Sequence, residues 1–188
     1  MSEAGAQPAQ RLAPADRASG RFDAAFLARL TALVALFALT HAYRGLQGDA
    51  SLYIGRALAD LDPAGIGADL MFVLDGQSAF SLFRLFYARL VAAVGANEAS
   101  LLTSGLGLML WLSGAALLAA RMAQGRLLWA SLITLAAMPF TYGSLFAIHY
   151  GEPLAIPRPF AEAFVLAAAA AMLADRFALA LAALLVGA

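Results

Sequence analysis

Apolar residues recur along this chain in long blocks, separated by short polar stretches and one long charged one. From Ala24 to Tyr43 the run AAFLARLTALVALFALTHAY is broken only by Arg29, near enough to its start for the side chain to reach out of an apolar layer. Leu101–Ala120 contains no charge, Leu127–Ile148 and Phe160–Ala174 follow, and Phe177–Ala188 opens a further apolar run of twelve residues. A bilayer crossing takes about 20 apolar residues. The blocks therefore predict crossings at 24–43, 101–120, 127–148 and 160–174, and an incomplete one at 177–188. Twelve residues rise only about 18 Å against a hydrocarbon core of about 30 Å, so the reading frame is expected to continue. The first block, with its Arg-bearing flank and clean run Leu30–Leu39, reads either as an uncleaved anchor or as a signal peptide with a poor cleavage site at Thr40-His41-Ala42.

The charged stretch, Arg44 to Ala96, holds five Asp (49, 60, 62, 69, 75) and four Arg (44, 56, 84, 89). Each would cost about 2.5–3.5 kcal/mol at mid-membrane, so the stretch is expected outside the hydrocarbon. Within it, Ala50–Leu61 has helical spacing with Arg56 and Asp60 at i,i+4, and Asp62-Pro63 ends that helix. Phe80–Val94 is a second helix, whose residues Phe80, Phe83, Tyr87, Leu90, Val91 and Val94 share one side and suit a helix lying in the membrane interface. Asn97 is placed to cap the next helix, with Glu98 in its first turn. Arg121–Arg126 is a turn, Pro139 is expected to kink the third crossing, His149–Pro159 is a Pro-rich loop, and Asp175-Arg176 is a tight turn. Gly105-x-Gly107 and the Ala-rich fourth crossing permit close helix packing.

Composition agrees with the block pattern: 63% of the 188 residues are hydrophobic and 13% charged, with a mean hydropathy of +0.80. Soluble domains run at about 45–50% apolar and about 25% charged. The fold class expected is all-α, a polytopic helix bundle with two juxtamembrane helices in a long first outer loop. Residues 1–21 mix Ala, Pro, Gly, Ser and charge without periodicity and read as a flexible cytoplasmic tail. Residues 22–188 form the membrane domain. Arg placement sets orientation: seven lie on the side of the tail and of the 121–126 turn, five on the side of the 44–96 loop. That asymmetry favours the N-terminus inside, which brings 44–96 and 149–159 to one outer face. Twelve cations, all Arg, balance twelve acids, leaving no basic excess for nucleic acid. No Cys is present, which excludes disulfides, thiolate metal sites and a Cys nucleophile.

Candidate chemistry gathers on the outer face. Asp49, in Gly48-Asp49-Ala50-Ser51-Leu52-Tyr53, reads two ways: an N-cap for the first loop helix, or a carboxylate at the membrane surface acting as general base. Asp69 and Asp75 flank Leu70–Leu74 and are solvated loop charges or two ligands of a divalent cation, which wants more oxygens than they supply. His149, Tyr150, Glu152 and Arg158 cluster in the loop between the third and fourth crossings. Arg158, with its planar fork, is either a phosphate ligand or a boundary anchor. Glu162 lies a turn inside the fourth crossing and either takes Arg158, at i−4, as its nearest intrahelical partner or, in an N-terminal turn marked by Pro159, only favours the helix dipole. No phosphate loop, nucleophile elbow, HExxH or dinucleotide fingerprint occurs.

A first crossing, a long outer loop opening with an Asp and carrying two juxtamembrane helices, then tightly spaced crossings, resembles the N-terminal module of GT-C membrane glycosyltransferases. GDASLY, DLMFVLDGQSAFSLF and RPFAEAF are also similar to polytopic membrane proteins of proteobacteria without assigned activity. The resemblance covers roughly residues 24–188 as an architecture. It implies an enzyme of the bacterial inner membrane that takes sugar from a polyprenyl phosphate on the periplasmic side, with membrane lipid and the lipid-linked donor as partners. By position it gives the early-loop Asp role, acceptor activation or metal coordination, to Asp49. Substrate binding is expected of Tyr53, in the same segment as Asp49, and of the loop cluster His149, Tyr150, Glu152 and Arg158. A divalent cation is compatible with the family but not indicated here. The usual acidic pair is absent, since Gly48 and Ala50 flank Asp49, which leaves a lone base. The rivals are a transporter or channel subunit, which would bring ionisable groups or broken helices to mid-membrane, and a noncatalytic protein that keeps the architecture. Sugar, acceptor and oligomeric state are not legible in the sequence.

Overall fold

The structure, a computed structural model, describes residues 24–76, 81–142 and 148–187. The tail expected at 1–21, Phe80, residues 143–147 near the end of the expected third crossing and Ala188 lie outside the described residues. The described chain is helical: α1 (Ala24–Thr40), α2 (Asp49–Leu61), a short 3₁₀ turn (Ile66–Ala68), α3 (Leu70–Val73), α4 (Leu82–Val94), α5 (Ala96–Met122), α6 (Gly125–Ala137), α7 (Arg158–Met172) and α8 (Phe177–Gly187). Between α6 and α7, β1 (Thr141–Tyr142) pairs antiparallel with β2 (Ile148–His149). Among the described residues, α5 is the one helix long and apolar enough to cross a membrane. Its 27 residues rise about 40 Å.

Helix α5 is the spine of two apolar clusters. Leu33 and Phe37 of α1 and Leu132 and Ala136 of α6 pack on its middle, Leu108 to Ala115. Ile54 and Ala57 of α2 and Tyr87, Ala88 and Val91 of α4 pack near its start, at Ala99. Thr40 fastens α1 to α6, its hydroxyl 2.5 Å from the Ala136 carbonyl. Small residues bring α7 against α5: a Cβ on Gly107 would meet Pro159 and Phe160, and one on Gly114 would lie 2.7 Å from the Ala163 carbonyl oxygen. Gly105, in contrast, has nothing within 4 Å of its Cβ position, so the close approach rests on Gly107 and Gly114.

The structure corrects several boundaries, each for a local reason. Pro139 does not kink a long crossing, because α6 ends at Ala137. Met138, held out of the helical region by the following proline, is extended at ψ 145°, and the chain enters the strand pair instead. Asn97 is not a cap either: Gly95, at φ 93°, occupies the turn between α4 and α5, a conformation glycine alone takes readily. Glu98 stays in the first turn as expected. Arg121 and Arg126 belong to α5 and α6, leaving Ala123-Gln124 as the turn.

Helix α4 differs in the face it buries. Tyr87 is 1% exposed, its hydroxyl 2.5 Å from Ser100 Oγ of α5, and Phe83 packs on Tyr53, Tyr87 and Phe160. The aromatic side expected to face lipid therefore faces the protein. Arg84 holds α4 to α2 through two bonds to the Asp60 carboxylate, both 2.6 Å, and Arg56 adds a third contact at 3.1 Å. Burial would raise Asp60, but these two guanidinium groups outweigh it and hold the carboxyl below its ordinary value.

Candidate functional site

The site forms where the start of α2 meets the start of α7. Gly48, at φ 56°, precedes α2 in the position where a capping side chain would act, and Asp49 is the first helical residue with no capping bond of its own. This corrects the N-cap reading. A carboxylate in a first helical turn gains only from the helix dipole, about 0.3–1 kcal/mol. Its side chain is 58% exposed and turned toward Arg158, with Arg158 Nη2 3.4 Å from Asp49 Oδ2. These two residues are 109 positions apart in sequence.

Arg158 starts α7, with Pro157 before it and Pro159 after. A proline in the first turn costs no helical hydrogen bond, so the loop delivers Arg158 in a fixed place. Its Nη1 donates to Glu152 Oε2 at 2.6 Å. Glu152 is 5% exposed and its other oxygen lies 3.2 Å from His149 Nδ1. The result is a chain of groups, His149 to Glu152 to Arg158 to Asp49. Glu162 does not take Arg158 as its partner: it accepts the Gly151 backbone N–H at 3.0 Å, so it ties the loop to α7. Gly151 sits at φ 51° against the Trp111 ring, and the loop that follows is buried at Pro153, Ala155 and Ile156.

Asp49, Tyr53 and Arg158 line the mouth of a cavity of about 630 Å³. Phe83 and Phe86 of α4, Leu106 of α5, Phe160 and Phe164 of α7 and Leu185 of α8 form its walls. One end is polar and charged, the rest apolar. Burial raises the Tyr53 phenol above its ordinary value, and the Asp49 carboxylate beside it adds to the effect while Arg158 opposes it. Tyr53 is therefore a neutral hydrogen-bonding group at this mouth.

Five of the six residues singled out in the sequence come together here: Asp49, Tyr53 and Arg158 on the cavity, Glu152 and His149 behind Arg158. Tyr150 does not join them. It turns into the bundle, its ring centroid 5.3 Å from Trp111 and 5.8 Å from His41. The sequence did not mark the apolar walls as parts of a site. Phe83 was legible as one of a helical aromatic row, but not as a cavity wall. Asp69 caps α3, accepting the Met71 N–H at 2.8 Å, and Asp75 lies 3.9 Å from Arg56. Among the described residues no group of three or more His, Asp or Glu gathers to hold a metal ion. Compared with models of protein families, with curated proteins and with solved structures, the chain matches none.

Proposed function

We propose that this chain belongs to a multi-pass inner-membrane protein of the GT-C glycosyltransferase type, acting on the outer face with a lipid-linked sugar donor. The observation that carries the reading is the meeting of Asp49 and Arg158, 3.4 Å apart, at the polar mouth of a cavity whose walls are apolar. Such a cavity suits an amphiphile with an anionic head. Arg158 binds the donor phosphate through its fork, Glu152 holds the guanidinium from behind, and Tyr53 contacts the sugar or phosphate. Asp49 takes the proton from the acceptor hydroxyl as that oxygen attacks the anomeric carbon, while the bond to the lipid phosphate breaks and the phosphate leaves carrying the electron pair.

The multi-pass reading is supported by the outer surface of the helices around α5. Leu27, Leu30 and Leu39 of α1, Leu127 and Ile133 of α6, and Leu179 and Leu181 of α8 are exposed. These helices are shorter than α5, so they cross with help from the segments that flank them. With the N-terminus inside, alkaline phosphatase fused after Ala96 is active in the periplasm and the same fusion after Gln124 is inactive. The reverse pattern would place the site on the cytoplasmic face.

Phosphate recognition is tested by binding a polyprenyl monophosphate to the full-length protein in nanodiscs. A hydrogen bond to a charged group contributes about 1.5–3 kcal/mol, so Arg158→Gln is expected to weaken binding roughly 10- to 100-fold. Equal binding by Arg158→Gln and the unchanged protein would remove the phosphate from Arg158.

A further inference from the structure

The described part of the connection between α6 and α7 runs along α5 instead of over its end. The Tyr150 N–H reaches the Phe140 carbonyl at 3.0 Å, and the Tyr150 ring stands 5.3 Å from that of Trp111. A Cβ on Gly151 would come within 3.2 Å of the same indole. From there the chain climbs α5, until Ala155 packs in the cluster that holds Ala99. No residue from Tyr150 to Pro157 is helical.

These contacts convert into depth. Trp111 stands ten residues into the charge-free run Leu101–Ala120, about 15 Å from its start, near the middle of a hydrocarbon core of about 30 Å. Helix α6, with 13 residues, rises only about 20 Å, and its Leu132 and Ala136 pack on this same middle part of α5. With α5 across the membrane, Tyr150 and Gly151 therefore lie near mid-depth and Ala155 near the outer boundary. Non-helical backbone at such depth persists only where protein buries it or where it lines water.

Burial alone leaves this stretch unsatisfied. Gly151, Glu152, Pro153, Ala155 and Ile156 are buried. The Tyr150, Gly151 and Ile156 N–H groups bond to the Phe140 carbonyl, Glu162 and the Leu154 carbonyl, but those of Glu152, Leu154 and Ala155 have no partner among the described residues. On α5, one turn before Gly107, Thr103 Oγ1 and Ser104 Oγ are buried and equally unpaired. His41 Nε2 is a further buried atom without a partner, its ring 5.8 Å from that of Tyr150. Such groups are rare in native interiors. Several along one seam point to bound water, each molecule of which satisfies about three of them.

We propose that Tyr150–Pro157 is a re-entrant segment, and that a file of bound water follows it from the outer face, past Thr103 and Ser104, to the mid-membrane level of His41 and Glu162. The inference rests on α5 as a span and needs neither the sugar donor nor catalysis. Its consequence for the site is electrostatic: water in the seam keeps the buried Glu152 ionised, as its grip on Arg158 requires, where a dry carboxylate would neutralise.

The test is amide hydrogen exchange of the full-length protein in nanodiscs, resolved to single residues. The Glu152, Leu154 and Ala155 amides are expected to exchange roughly 100-fold or more faster than those of α5 at 105–115. Since the chain has no cysteine of its own, two single-cysteine variants fix the setting. A spin label at Met109→Cys, on the exposed side of α5, should read as deep from collisions with oxygen and with a water-soluble nickel chelate. Ala155→Cys should resist a polyethylene-glycol maleimide too bulky for the seam. Segment amides as slow as those of α5 would show a dry segment and overturn the water file. Ready reaction of Ala155→Cys with the bulky maleimide would make the segment a free outer loop and overturn the re-entry. An aqueous Met109 label would overturn re-entry and span together.

Discussion

Asp49→Asn is expected to stop sugar transfer while leaving the protein folded. An amide cannot take up the acceptor proton, and loss of a general base costs roughly 10²–10⁴-fold in rate. The structural cost is small. Gly48, not Asp49, holds the cap position, so no capping bond is lost. The ion pair with Arg158 is open to solvent, 58% and 44% exposed at 3.4 Å, and such pairs contribute about 0–1 kcal/mol. The measurement is sugar transfer, or complementation of a surface-glycan defect, by the full-length variant at wild-type abundance in the membrane. Normal activity would strip Asp49 of the catalytic role and favour a noncatalytic protein in which Asp49 only pairs with Arg158. A strong loss at normal abundance would set the chain apart from that alternative.

Gly114→Leu should be strongly damaging although it lies outside the cavity. Its Cβ would come within 2.7 Å of the Ala163 carbonyl oxygen and 3.2 Å of Leu166 Cβ, and backbone cannot move aside as a side-chain tip can. Helix α7 must shift, at a cost of about 1–3 kcal/mol or more for an overpacked contact. Because α7 carries Arg158 at its first position, the shift also pulls Arg158 away from Asp49. Reduced thermal stability in detergent and weakened binding of polyprenyl phosphate are expected together. Gly105→Ala, where nothing lies within 4 Å, is the matched control. It should be neutral or slightly stabilising, since alanine is the better helix former by about 1 kcal/mol. Equal behaviour of the two variants would mean that α5 and α7 do not pack through Gly114.

Much of the secondary structure was legible because it follows from local pattern. The uninterrupted apolar run at 101–120 could satisfy its backbone only as a helix in an apolar setting, and α5 is that helix. The i,i+4 pair Arg56–Asp60 and the stop at Asp62-Pro63 likewise depend on neighbours within a turn. Boundaries failed where a residue's local preference met a competing neighbour: Met138 obeyed the proline after it, and Gly95 took the turn before Asn97 could cap.

The candidate site was legible as a set of residue types on two loops, Asp49 with Tyr53 and His149 through Arg158. Which groups pair was decided by tertiary structure. Arg158 has carboxylates available at i+4 in Glu162, at i−6 in Glu152 and far away in Asp49, and helical spacing favours the first. The buried Gly151 amide claims Glu162, because an unpaired N–H there would cost more than a half-exposed ion pair returns. Arg158 is thus left to Glu152 and Asp49. The same holds for α4: sequence determined that it would be an amphipathic helix with one aromatic side. Only the docking of α2, through Asp60 and Arg84, decided that this side faces Tyr53 and Phe160, because a helical pattern fixes which residues share a face but not what that face meets.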